Sequence, residues 1–255
     1  MKIAVLVKQV PDTGERRNLD PATGLVDRGG ENVLDEINER ALEVALRHKD
    51  AHKDTEVVVV SMGPETLTKG LRKALSMGAD AAVHVLDDTL AGADAGRTAA
   101  VLAGALRSVA ADVVVAGNES TDGRGGVVPA MVAEHLSLPL LSAMDTVELS
   151  AGEVSGQRST ETGSLRASAP LPAVISVTER SAEARFPSFK GIMTAKRKPL
   201  TVLSVAELGA LPGDQARTSV LSTLRSPART AGLRIVDEGN AGNELAEFLR
   251  SDRLI

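Results

Sequence analysis

The hydrophobic and polar positions of residues 1–136 follow two patterns that alternate along the chain. Short apolar runs such as EVVVVSM predict buried strands, whereas apolar residues spaced three or four apart predict amphipathic helices. The predicted strands are 2–8, 56–62, 81–86 and 111–117, and the predicted helices are 34–49, 64–78, 93–109 and 125–136. This alternation predicts an α/β domain with a doubly wound, mostly parallel sheet and right-handed crossovers.

The pattern changes after residue 140, where strands follow one another without helices between them. We predict strands at 145–150, 152–160 and 172–179, and a tight turn at Ala151–Gly152 joins the first two as a hairpin. This part of the chain therefore departs from the βα alternation of the first half.

Pro and Gly interrupt the chain beyond about residue 185, until a short predicted helix at 243–251. The apolar pieces between them have little core of their own, so they either wrap back over the first domain or bury apolar surface on another chain. We favour the second arrangement. It gives an α/β domain at 1–187 and an extended C-terminal arm at 188–255.

A glycine-rich turn, AGNESTDGRGGVV, leads from the strand at 111–117 into the helix at 125–136. Ligands of open α/β sheets bind beyond the carboxyl ends of the strands, and free amides at a helix N-terminus favour an anion. No Gly-Lys-Ser/Thr occurs, and Val128 stands where the dinucleotide fingerprint needs a third small residue. The turn favours a modest phosphate such as a monophosphate in a Rossmann-like domain, with a tight turn that binds nothing as the alternative.

The composition excludes several classes of function. A net charge of −5 gives no general attraction to nucleic acid or anionic lipid, and no apolar stretch reaches the roughly 20 residues that span a bilayer. The absence of cysteine excludes disulfides, thiolate zinc sites and thiol redox chemistry. Because the chain begins with a strand pattern rather than a signal peptide, we expect a cytoplasmic protein without membrane insertion.

The sequence contains no arrangement typical of an active site. His48 and His52 lie four positions apart on a predicted helix, but no third metal ligand is near them in sequence, so we expect two solvated histidines and no metal. The Gly-x-Ser-x-Gly elbow is absent, and a solvated helix face accounts for most of Asp35, Glu36 and Glu39. We expect no catalysis by this chain alone.

Aromatic residues are scarce, with three Phe and neither Trp nor Tyr. Phe186 and Phe189 both lie in the segment ARFPSFKGIM, where Arg185 and Lys190 flank them. An aromatic side chain between cations is typical of a protein-contact anchor, and Phe189 is the predicted anchor. The alternative is a loop pinned to its own domain, for which Phe186, next to Pro187, is the better candidate.

The chain resembles the electron transfer flavoprotein β subunits over nearly its whole length, and actinobacterial members look most similar. The signature region of that family is similar to residues 156–209, GQRSTETGSLRASAPLPAVISVTERSAEARFPSFKGIMTAKRKPLTVLSVAELG. Further motifs that resemble the family, in the same order, are KQVPDTGERR, VLDEINERALEVAL, SMGPE, RKALSMGAD and AGNESTDGRGGVVPAMVAEHLSLP. The motif RTAG at 229–232 resembles the family's late tail.

The resemblance implies an electron carrier rather than an enzyme. Such a β subunit forms a heterodimer with an α subunit, and the pair carries electrons from flavin dehydrogenases, typically the acyl-CoA dehydrogenases of fatty acid oxidation, to a membrane quinone oxidoreductase. The α subunit holds most of the FAD, and the β subunit closes one side of the flavin. The β subunit also binds one structural AMP.

Site residues follow from the resemblance by position. The implied AMP pocket consists of Val7, Asp35, Met62, Ser120, Gly123, Gly125, Gly126, Val127 and Val128. Thr13 and Ile37 fall where family members approach FAD, and Phe189, accompanied by Arg185, occupies the apolar anchor that recognises dehydrogenases. Electron-bifurcating members hold a second FAD in place of AMP, but the tight glycine turn favours AMP here.

Two other functions compete with this interpretation. The first is a standalone, stress-type nucleotide-binding α/β protein, which needs neither an aromatic loop nor a long apolar tail. The second is an interaction scaffold whose pocket binds nothing. The ligand that denaturation releases distinguishes all three.

Overall fold

The computed structural model describes residues 1–14, 17–209, 216–224, 226–228 and 232–255, so the RTAG motif lies outside the described residues except for Gly232. The strands are β1 Lys2–Leu6, β2 Gln9–Pro11, β3 Asn32–Leu34, β4 Glu56–Met62, β5 Ala81–Val85, β6 Val113–Gly117, β7 Leu140–Met144, β8 Thr146–Leu149, β9 Glu153–Thr160, β10 Gly163–Pro170, β11 Ala173–Val177 and β12 Leu200–Leu203. The helices are α1 Glu36–Ala51, α2 Leu67–Met77, α3 Ala95–Val109, α4 Val128–Leu136, α5 Phe189–Ala195 and α6 Ala241–Ser251.

Seven strands form the central sheet in the order β12-β5-β4-β1-β6-β11-β7, and every neighbouring pair is parallel. A parallel sheet covered on both faces needs apolar residues along the whole strand, which is what the valine runs of β4 and β6 supply. β1 lies at the centre, with β4 on one side and β6 on the other.

Helices cover both faces of this sheet, so the predicted doubly wound α/β fold is confirmed. α1 and α2 pack on one face, where Leu42 and Val5 share a core, and α3 and α4 pack on the other, where Leu102 and Leu6 share a second core. Consecutive side chains of a strand point to opposite faces, which is why Val5 and Leu6 belong to different cores.

The hairpin predicted at 145–160 is confirmed as β8 and β9, and β10 completes a small antiparallel sheet beside them. The pattern does not predict β7, β10 or β12. β7 contains no β-branched residue and bends at Ala143, which has a φ of 53°. β12 follows the cationic run KRKP and lies at the edge of the sheet, where burial imposes a weaker apolar pattern.

Residues 188–208, which the pattern assigns to the C-terminal arm, form α5 and β12 inside a first compact unit, Met1–Leu221. β12 pairs with β5, and α5 packs on α2. Near the end of this unit, the carboxylate of Asp94, the N-cap of α3, accepts hydrogen bonds from the amides of Arg217 and Thr218 at 2.7 and 3.1 Å. The first unit therefore extends beyond the boundary at 187/188, and the packing of the arm on another chain stays a prediction.

The second compact unit, Ser222–Ile255, contains α6 within its described residues. Leu245 and Phe248 lie three positions apart on α6 and are both exposed. No helix within the described ranges combines the length and the apolar character needed to cross a lipid bilayer.

Candidate functional site

Three predicted site residues meet at the carboxyl edge of the central sheet. Val7 follows β1, Met62 ends β4 and Ser120 follows β6, and these strands are neighbours. The Ser61 hydroxyl donates to the Val7 carbonyl at 2.5 Å, which ties the first two strand ends together. The chain leaves β1 for α1 on one face and leaves β6 for α4 on the other face, so this point is the topological switch at which open α/β sheets bind ligands.

Asp35 connects this edge to α1. It is fully buried, as the N-cap of α1, and its carboxylate accepts from the Ile37 amide at 3.2 Å. The other carboxylate oxygen accepts from the amide and the hydroxyl of Thr121 at 2.8 and 3.1 Å. The expectation of a solvated carboxylate is therefore wrong for Asp35, because N-capping and the bonds to Thr121 satisfy it inside the protein.

The glycine loop, residues 118–127, presents its backbone amides rather than side chains. Arg124 and Gly126 take left-handed backbone angles, with φ of 49° and 65°. No acceptor in the described part of the chain receives the N–H groups of residues 125–128 or 130, and Val127, the N-cap of α4, provides no side-chain cap. Amides without acceptors and the positive end of a helix are features that favour an anion.

The side chain of Asp122 attaches the glycine loop to two cations, Lys8 and Arg28. Its side chain is only 1% exposed, and its oxygens lie 2.7 Å from Lys8 Nζ and 2.7 Å from Arg28 Nη2. Burial alone would raise the pKa of this carboxyl, but the hydrogen bond and charge of Lys8, with help from Ser120 and Arg28, lower the pKa to about 2. Asp122 is therefore ionised throughout the neutral range.

A cavity of about 650 Å³ lies next to the loop, and Thr13 and Ile37 both line it. Its other lining residues are charged or polar, among them Arg17, whose guanidinium donates to the carbonyl of Thr121. The structure thus brings together the two residues that resemblance places near FAD. Their contact with FAD stays a prediction.

Phe189 and its neighbours form an exposed apolar patch, which comprises Phe186, Phe189, Ile192 and Met193. Phe189 is 81% exposed and begins α5 rather than lying in an open loop, because Ser188 caps this helix by accepting from Gly191. Phe186 is 94% exposed. The suggestion that Phe186 pins the loop to its own domain is therefore wrong.

Hydrogen bonds hold α5, which carries most of this patch, against α2. Arg72 of α2 donates to the carbonyls of Ala195 and Lys198 at 2.8 and 2.9 Å, and Lys198 Nζ in turn donates to carbonyls at the end of α2. A Cβ at Gly191 would lie 2.1 Å from the carbonyl oxygen of Ser76, so only glycine allows this close approach. The helix that carries the patch is therefore closely packed on α2.

Arg185 faces the body of the protein. Its guanidinium forms two bonds to Glu43, of 2.6 and 3.0 Å, and one to Asp50 at 2.8 Å. The hydrogen bonds to Glu43 raise the pKa of Arg185 above its ordinary value, with a smaller contribution from Asp50. Glu43 is buried in α1, so this pair fastens the segment before α5 to that helix.

Comparisons with known proteins identify the family. A model described as the electron transfer flavoprotein domain matches residues 23–208. Proteins named electron transfer flavoprotein subunit beta, from Mycobacterium tuberculosis and Mycobacterium leprae, are each 48% identical over 263 residues, which cover 99% of both chains. The chain belongs to the electron transfer flavoprotein family, as a β subunit.

A more distant relative is the caffeyl-CoA reductase-Etf complex subunit CarD of Acetobacterium woodii, 33% identical over 98% of this chain and 97% of that one. Membership of this family assigns the chain to electron transfer. The resemblance inferred from the sequence motifs is thus confirmed for the electron transfer flavoprotein β subunits.

The sequence pattern does not predict the side chains that form ion pairs with Asp122 and Arg185. Lys8 and Arg28 precede Asp122 by about a hundred residues, and Glu43 precedes Arg185 by more, so no local pattern connects them. The one available signal for Lys8 is its position directly after β1, at the edge where ligands bind. No comparable signal marks Gly191, since its role depends on the proximity of α2.

Proposed function

We propose that this β subunit pairs with an electron transfer flavoprotein α subunit and carries electrons from acyl-CoA or other flavin dehydrogenases, as in fatty acid oxidation, to a membrane quinone oxidoreductase. Family membership along almost the full length supports this role. The chain's own contribution is to bind a structural AMP, to cover one side of the FAD held mainly by the α subunit, and to present a docking surface to dehydrogenases.

The observation that carries the AMP assignment is the set of unpaired amides in the glycine loop. The N–H groups of residues 125–128 and 130 lie at or just before the start of α4 and lack acceptors within the described chain. Each hydrogen bond to a charged phosphate is worth about 1.5–3 kcal/mol, so three of them would favour retention of a nucleotide through purification. Gly125 leaves room for the ligand, because a Cβ there meets no atom within 4 Å.

The remaining pocket residues have roles that fit their burial. Asp35 fixes the loop to α1 through Thr121, while Val7 and the half-buried Met62 supply apolar surface at the neighbouring strand ends. Val127 and Val128 stand at the start of α4 without polar side chains, so the phosphate rests on backbone amides there. FAD, when bound, supplies the electron-carrying chemistry, and Thr13 and Ile37 line the cavity that faces it.

The apolar patch supports the proposed docking role. An electron carrier needs brief encounters with several partners, which a single projecting anchor provides better than a broad apolar interface. Phe189 projects from a helix that is itself fixed on α2. Arg185 contributes by holding the segment before α5 against Glu43.

The nucleotide content of the purified heterodimer tests the proposal. We expect denaturation to release AMP and FAD in equal amounts, and the β chain prepared without its partner to release AMP alone, as measured by chromatography with mass spectrometry. ATP that the chain hydrolyses would favour the standalone nucleotide-binding protein instead. Two equivalents of FAD without AMP would indicate the bifurcating type, and the absence of any nucleotide would contradict the proposed site.

A further inference from the structure

Four charged groups lie in or next to the glycine loop: Lys8, Arg28, Asp35 and Asp122. Lys8 Nζ is 3.1 Å from the Ser120 hydroxyl and 2.7 Å from Asp122, and Arg28 is 2.7 Å from the other oxygen of Asp122. Asp35 is bonded to Thr121 of the same loop. The formal charges of these two cations and two carboxylates cancel.

Lys8 lies beside the glycine loop. A Cβ at Gly123 would be 3.8 Å from Lys8 Nζ, so the ammonium adjoins the loop backbone. Lys8 and Arg28 are also partly exposed, with 43% and 37% of their side chains open to solvent, whereas Asp122 between them is covered. The cations are reachable, but their charge is already balanced.

Two other arginines near the loop are also engaged. Arg124 pairs with Glu119 at 3.2 Å. Arg17 donates to the neutral Thr121 carbonyl, and the cavity that it lines also contains Glu36 and Glu179, whose carboxylates oppose its charge. A phosphate at the loop thus meets amides and a helix N-terminus, which suit one phosphoryl group. A second phosphoryl group adds negative charge, and no cation of this cluster remains to balance it.

We propose that Asp122 is the residue that restricts the glycine loop to a nucleoside monophosphate, because it pairs with both cations and, together with Asp35, balances the positive charge that would otherwise hold a second phosphate. The inference rests on the proposed nucleotide site and concerns its selectivity. Asp122 acts through Lys8 and Arg28 without touching the ligand. It is therefore a positioning and specificity-determining residue.

A competition between AMP and ADP tests this role. The protein is partly unfolded in urea to release its nucleotide and refolded with equimolar AMP and ADP in excess, and the retained nucleotides are quantified after denaturation. Asp122→Asn should raise the ratio of bound ADP to AMP about tenfold, the effect of one unbalanced charge at about 6 Å in a half-exposed site. Because the ratio compares two ligands in one variant, a looser loop that weakens both alike does not alter it.

Two variants serve as matched controls. Asp20→Asn makes the same charge change on the exposed turn at residues 20–24, where Asn can accept the same backbone bonds from Ala22 and Thr23, and should leave the ratio unchanged. Asp122→Asn combined with Lys8→Met restores the neutral cluster and should return the ratio to that of the unmodified protein.

Lys8→Met alone keeps the inference falsifiable if Asp122→Asn does not refold. It leaves one excess carboxylate and should lower the ratio of ADP to AMP by a similar factor. An unchanged ratio in the variants that fold, or equal binding of ADP and AMP by the unmodified chain, overturns the inference while the nucleotide site stands. An unmodified chain that retains neither nucleotide contradicts the proposed function itself and the inference with it.

Discussion

Gly117 precedes the glycine loop and Gly125 lies within it, but the space around the two residues differs. A Cβ at Gly125 meets nothing within 4 Å, whereas a Cβ at Gly117 would lie 2.7 Å from Asn38 Nδ2 and 2.7 Å from Ile37 Cγ2. The fold requires glycine at 117, where β6 passes the first turn of α1. At 125, only a ligand would require it.

We therefore expect Gly125→Val to abolish nucleotide retention without lowering the stability of the nucleotide-free chain. The valine side chain would occupy the space through which a phosphate approaches the loop amides. Thermal unfolding with and without added AMP provides the measurement, and Gly117→Val, which should destabilise the chain by itself, is the comparison. A Gly125→Val protein that still releases AMP on denaturation contradicts the assignment.

Asp122 also makes the stability of the chain depend on pH. Its pKa falls from an ordinary value of 3.8 to about 2 in the folded protein, so the ionised form stabilises the fold above the unfolded pKa. That contribution, about 2 kcal/mol at neutral pH, should begin to disappear below about pH 4 and be absent below about pH 2. Urea unfolding between pH 6 and pH 2.5 should show a smaller loss for Asp122→Asn than for the parent, and parallel curves would refute the effect.

At the scale of elements, we expect the exposed side chains of α5 to contribute to docking and not to the stability of the fold. Phe189→Ala should weaken dehydrogenase binding by about 2 kcal/mol or more, roughly 30-fold in affinity, with unchanged thermal stability because the side chain is 81% exposed. The rate of flavin reduction against dehydrogenase concentration measures this, with FAD and AMP content as controls. Phe186→Ala is the matched variant, and equal slowing by both changes would mean that the whole patch, not Phe189, is the anchor.

In contrast to Phe189, Arg185 should contribute to the stability of the fold and not directly to dehydrogenase binding. Arg185→Ala leaves the buried carboxylate of Glu43 with Arg47 as its remaining cation, so it should lower the free energy of unfolding by about 1–3 kcal/mol. Hydrogen exchange should show faster exchange in residues 181–188. If Arg185→Ala slows electron transfer without any loss of stability, Arg185 contacts the dehydrogenase directly instead of supporting α5.

Most strands of the central sheet are predicted because their burial dictates an apolar composition, whereas the hairpin of β8 and β9 is predicted from its turn. The strands in the interior of the sheet are mostly apolar along their length, with valine runs in β4 and β6, so β1, β4, β5, β6 and β11 are all predicted and confirmed. β12 and β7 lie at the two edges, where one neighbour is missing and the apolar pattern weakens. The pocket residues follow from resemblance, but the pairs Lys8–Asp122 and Glu43–Arg185 depend on tertiary proximity, which no local pattern encodes.

At the scale of the whole molecule, the two compact units predict a separable function for the C-terminal segment. A chain that ends at Leu221 retains the complete first unit, so it should unfold within a few degrees of the full-length protein and still bind AMP. It should lose most of its affinity for the α subunit, because the exposed residues Leu245 and Phe248 of α6 would no longer be present to bury. Copurification measures this, and a stable complex of the truncated chain would place the main interface elsewhere.

The two faces of α5 differ in how far the fold restricts their substitution. Gly191 is constrained by the carbonyl of Ser76, whereas Phe189, Ile192 and Met193 contact little of their own chain. Substitutions on an exposed face usually change folding free energy by no more than about 0.5 kcal/mol. Under the proposed docking role, single mutations on this outward face would change the choice of redox partner, while the scaffold and the proposed nucleotide site would be inherited unchanged.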